Sequence, residues 1–81
     1  MTKYILKINN FKYVSDIKTF HRREDAIRAL ETLQSLINYT FNPIVPDIDR
    51  IRMRNHLNEC CNTFINLEVR PKVFLFTNDR N

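Results

Sequence analysis

Residues 2–20, Thr-Lys-Tyr-Ile-Leu-Lys-Ile-Asn-Asn-Phe-Lys-Tyr-Val-Ser-Asp-Ile-Lys-Thr-Phe, decide the fold class. Apolar and polar residues alternate on both sides of Asn9-Asn10, the pattern of a β-hairpin. With Asn9 and Asn10 as the central residues of a type I′ turn, Ile8 faces Phe11, Leu6 faces Tyr13 and Ile5 faces Val14. Asparagine is the non-glycine residue best suited to the positive φ that both turn positions require. Tyr4, Leu6, Ile8, Phe11 and Tyr13 then share a core face. The opposite face carries Lys3, Lys7, Lys12 and Lys18, with Ile5 and Val14 between them. That register sets Lys7 against Lys12, a destabilising like-charge pair. Such a lysine face discourages edge-to-edge aggregation, and it also offers a basic platform to an acidic partner.

Beyond the hairpin, Ala26, Ala29, Leu30, Leu33, Leu36 and Ile37 form one stripe at helical spacing, which predicts a helix from about Arg22 to Tyr39. Glu24 and Asp25 oppose the positive end of its dipole. His21, Arg22 and Arg23 make a compact basic cluster just before it. Pro43 and Pro46 break the chain between 40 and 46, where Phe41, Ile44 and Val45 are expected to lie against the core. A second helix follows, capped by Asp47 or Asp49. With Asp49 as cap, Ile48 and Met53 would form a hydrophobic staple. Its apolar side is read as Met53, Leu57, Cys60, Cys61 and Phe64. Arg50, Arg52 and Arg54 give its start the densest positive charge in the chain. Arginines so placed contact phosphates and base edges in nucleic-acid binders.

From about Thr63 the pattern becomes extended, and Val73-Phe74-Leu75-Phe76 is apolar on both faces. The reading is one long strand bent at Pro71, with a second hairpin as the alternative. A strand of this kind is either central in its sheet or covered by a second molecule, so Phe74 or Phe76 is expected in a homodimer contact or a partner-binding patch. The fold class is therefore α+β: a small antiparallel sheet with two helices packed on one face, in the order β-β-α-α-β(-β). Residues 1–81 form a single domain.

Composition narrows the function. The chain of 81 residues has no glycine, which excludes glycine-dependent phosphate loops. Thirteen Lys and Arg against nine Asp and Glu give a net charge of +4, which suits nucleic acid, acidic protein surfaces or anionic lipid. Cys60 and Cys61 are neighbours and close no useful loop, which suits a reducing compartment. Met1-Thr2-Lys3-Tyr4 leads straight into a strand and the apolar runs are short, so neither a leader nor a membrane span is expected, and the protein is expected in the cytoplasm (the host's, if viral). His56, Cys60 and Cys61 resemble half a metal site in spacing, but the cysteines fall on the apolar stripe and are read as small core hydrophobes. Neither a catalytic constellation nor a cofactor motif is present, so an enzyme is not expected.

Two binding readings follow. The first is a regulator or inhibitor acting stoichiometrically on a larger protein or nucleoprotein, with an apolar anchor at Phe74 or Phe76. The asparagine-rich basic character fits an accessory protein of a phage or other mobile element. The second is direct nucleic-acid binding, which needs Lys3, Lys7, Lys12, Lys18, Arg22, Arg23, Arg50, Arg52 and Arg54 on one contiguous face. Tyr4 and Tyr13 could stack bases, but their expected place in the core counts against an RNA platform.

Overall fold

The computed structural model describes residues 2–79. Strand β1 (Thr2–Asn10) turns into β2 (Tyr13–Phe20), followed by α1 (Arg23–Thr40), α2 (Asp47–Cys61) and β3 (Lys72–Asp79). The sheet order is β2-β1-β3, and both pairings are antiparallel. The expected α+β order is thus observed. Both helices lie on one side, where Leu6 and Ile8 of β1 meet Leu33 and Ile37 of α1, Leu57 and Cys61 of α2, Ile65 and Val73. The thinnest dimension of the molecule is 17 Å. That is room for one sheet and one helical layer, since such layers pack about 10 Å apart.

The hairpin turns two residues later than the asparagines suggest. Phe11 and Lys12 make the turn, and Asn10 pairs with Tyr13. Only Phe11 of the two has positive φ, at 62°, so the turn is not type I′. A bulky side chain in that region costs about 1–2 kcal/mol. Three gains offset the cost. Lys7 now faces Asp16 rather than Lys12 and makes an ion pair of 3.1 Å. Asn10 is freed to donate from Nδ2 to the Phe64 carbonyl at 2.6 Å. The ladder also lengthens. Tyr13 consequently overshoots the core and is 73% exposed, and Phe11 is 63% exposed.

A bulge between the Lys7–Asp16 and Leu6–Lys18 pairs leaves Ile17 as the extra residue. It feeds Ile17 and Phe20 into the core. It also turns Lys18 to the helix side, away from the face shared by Lys3 and Lys7.

α1 follows its expected stripe: Ala26, Leu33 and Ile37 are buried and Ala29, Leu30 and Leu36 pack against the core. α2 begins at Asp47 with Pro46 as cap residue, earlier than a cap at Asp49 would set it. Ile48 therefore lies within the helix and is exposed, so no staple forms. Leu57 and Cys61 are buried as expected, whereas Cys60 and Phe64 face outward. Ile44 in the connection is also exposed, while Phe41 packs inward.

Residues 63–71 form neither a bent strand nor a hairpin. Their backbone groups are claimed by side chains instead. Asn58 Oδ1 accepts the Ile65 N–H at 2.8 Å, and Arg54 Nη1 donates to the Ile65 carbonyl at 3.4 Å. Asn66 Oδ1 accepts the Glu68 N–H at 2.9 Å, an Asx turn. With these groups satisfied, the segment can leave Ile65 and Pro71 fully buried without a ladder.

Ile8→Ala should lower stability by about 2–5 kcal/mol, because Ile8 is completely buried beneath both helices. Asn58→Ala should cost about 1–3 kcal/mol by stranding the Ile65 amide. Urea unfolding of the two variants measures both losses.

Candidate functional site: the uncovered face of the sheet

Side-chain alternation along three paired strands determines what the second face of the sheet presents. From the register, Lys3, Ile5, Lys7 and Asn9 of β1 point away from the helices. Val14, Asp16 and Thr19 join them from β2, and Lys72, Phe74, Phe76 and Asn78 from β3. Phe74 lies across from Lys7 and Phe76 across from Ile5. No element among the described residues covers this face. Phe74 is 39% exposed and Phe76 50%.

Lys7 organises the centre. Its Nζ sits 5.1 Å from the centroid of the Phe76 ring and 3.1 Å from Asp16 Oδ1. The lysine is thus held over the sheet between an aromatic face and a carboxylate. Lys3 and Lys72, both exposed, stand at opposite ends of the surface, Lys3 on the central strand and Lys72 on the edge. The result is an aromatic pair set among cations.

The nine cationic residues singled out in the sequence do not converge. Lys3 and Lys7 share the open face. Lys12 stands at the hairpin turn with its Nζ 5.4 Å from the Phe11 ring, and Lys18 lies on the helix side beside Phe20. Arg22 and Arg23 sit at the start of α1. Arg50 binds the other end of that helix, donating from Nε to the Thr40 carbonyl at 3.0 Å, with Asp47 Oδ1 3.6 Å from its Nη1. An 18-residue helix separates these ends by about 27 Å. Arg54 is engaged with Ile65 and lies 5.0 Å from the Phe64 ring. Arg50 and Arg54 are therefore spent on holding α2 and the following segment in place, which leaves Arg52 exposed on its own.

A concavity on the helix side of the sheet was not apparent from sequence. An open pocket of about 470 Å³ lies between β2, α1 and the C-terminal half of α2. Leu6, Ile17, Leu33 and Leu36 line it together with the exposed Lys18, Arg28, His56 and Cys60. Cys60 Sγ is 3.7 Å from His56 Nε2, as their i, i+4 spacing allows. Among the described residues, no group of three or more His, Cys, Asp or Glu side chains comes together to hold a metal. Among the same residues, no helix is long and apolar enough to cross a membrane.

The two thiols differ sharply. Burial, with the neighbouring Cys60 charge second, pushes the Cys61 thiol up to about 11. At pH 8 iodoacetamide should therefore alkylate Cys60 readily and leave Cys61 unmodified until the protein unfolds. Peptide mass spectrometry distinguishes the two positions, and equal labelling of both in the native protein would contradict the buried placement of Cys61.

Comparison of the chain with family models, with curated proteins and with solved structures finds no match.

Proposed function

We propose that this chain is a non-enzymatic binding protein that regulates or inhibits a larger protein or nucleoprotein partner by occupying it stoichiometrically. The observation that carries this reading is the half-exposed pair Phe74 and Phe76 on a sheet face that no helix among the described residues covers. A Phe side chain buries roughly 200 Å² when fully enclosed, so enclosing what remains exposed here is worth roughly 4 kcal/mol before association costs. Lys3, Lys7 and Lys72 around it favour an acidic counterpart and speed encounter with it. The composition suits an accessory protein of a phage or mobile element that meets its partner in the host cytoplasm.

Direct nucleic-acid binding is the second reading. It is favoured by one specific feature, aromatic rings beside lysines on an open antiparallel sheet, which can stack bases. The scatter of the other cations weighs against it.

Affinity capture from cell lysate, with and without nuclease, separates the two. The expected result is a protein partner retained after nuclease treatment. Capture should fall about tenfold or more with the Phe74→Ser/Phe76→Ser double variant, whose fold is checked by circular dichroism. Capture that depends on nucleic acid and weakens steeply with salt would favour the second reading. Capture indifferent to both phenylalanines in a folded variant would refute the assignment of the face.

A further inference from the structure

The two edges of the sheet are built differently. β2 is interrupted by the bulge at Ile17, carries Asp16 and Lys18, and runs directly into α1. Bulges and charges of this kind prevent a sheet edge from recruiting another strand. β3 has no bulge, and its charges, Lys72 and Asp79, stand only at its two ends. It pairs with β1 from Lys72 to Asp79 without a register shift, contains no proline, and is apolar on both faces at residues 73–76. Among the described residues, its far edge pairs with no strand.

We propose that β3 pairs antiparallel with β3 of a second copy of this chain, around a two-fold axis normal to the sheet. The product is a continuous six-stranded sheet with all four helices on one side and the open faces joined on the other. Alternation narrows the register. Opposed residues in an antiparallel pair share a face, so even-numbered residues must meet even-numbered ones. Centring the axis on Leu75 sets Leu75 against the partner's Leu75, Phe74 against the partner's Phe76, and Val73 against the partner's Thr77. Moving the centre to Phe76 would instead place Val73 opposite the partner's Asp79 on the helix side, an apolar residue against a charge. The Leu75 register also suits the charges. Lys72 lies beside the partner's Asn78, at the end of the strand where the partner carries Asp79, while the two Lys72 residues stand about 20 Å apart.

Sedimentation equilibrium of the unaltered chain tests the association without any mutation, and a dimer at micromolar concentration is expected. The register is tested by diamide oxidation in a Cys60→Ser, Cys61→Ala background. Leu75→Cys should yield a disulfide-linked dimer, because the two residues on the axis have Cα atoms about 5 Å apart. Thr77→Cys should not, since its two copies lie about 13 Å apart along the strands. A monomer throughout the micromolar range overturns the proposal, including the case of a monomer that accepts an extended peptide along β3. A dimer that cross-links equally through both positions, or through Thr77→Cys alone, overturns the register. Because the edge and not the face is tested, either result leaves the capture experiment on Phe74 and Phe76 independent.

Discussion

Strand β1 is paired along both sides, and two of its inward residues, Leu6 and Ile8, are almost completely removed from water. Everything else is placed relative to them. α1 lays Leu33 and Ile37 over this pair, and α2 reaches the same cluster with Leu57 and Cys61. Because side chains alternate, fixing Leu6 and Ile8 inward also fixes Ile5 and Lys7 outward. The position of the open face is therefore a consequence of how the core is filled. Among the described residues there are two helices, and both are used on one side.

A chain without glycine must find other ways to end helices and turn strands. Here asparagine and arginine side chains do much of that work. Asn62 takes the left-handed cap of α2 at φ 51°. Asn42, Asn58 and Asn66 accept backbone N–H groups in connections, and Asn10 donates to a carbonyl. Arg50 and Arg54 supply the matching donors to the Thr40 and Ile65 carbonyls. Arg70 likewise bonds Asn38 on α1. Residues that look like a polar surface are thus partly the scaffold of irregular segments, which is why positive charge dense in sequence is not dense in space.

The same point explains which parts of the structure could be read from residue order. The stripe of α1 and the alternation of β1 are local, periodic signals, and they place Ala26, Leu33, Ile37, Leu6 and Ile8 as observed. That Phe74 and Phe76 share a face follows from alternation as well, but which face lies open does not, because residues 73–76 are apolar on both sides and only the pairing with β1 decides it. The turn was not legible, because Asn9-Asn10 carries the stronger local turn signal. The choice of Phe11-Lys12 depends on Lys7 meeting Asp16 across the hairpin and on Asn10 meeting Phe64, a residue distant in sequence. The segment 63–71 alternates like a strand, yet Asn58 on α2 takes the Ile65 amide that a ladder would need. Tertiary partners overrode local pattern at each of these places.

Size connects the edge of the sheet to its face. Three strands of about eight residues present an area on the order of 400 Å², from a strand spacing of about 4.8 Å and a rise of about 3.3 Å. A stable protein interface buries about 800 Å² on each side. One copy therefore falls short with its open face alone and would have to recruit the hairpin end, where Phe11 and Tyr13 are exposed. Two copies joined along β3 reach that area with the sheet itself and gather four phenylalanines about the shared axis. Lys7 of each copy, pinned between Asp16 and Phe76, then stands beside this aromatic row. The row supplies burial at the centre and the lysines supply charge around it, an arrangement suited to an acidic surface with an apolar middle.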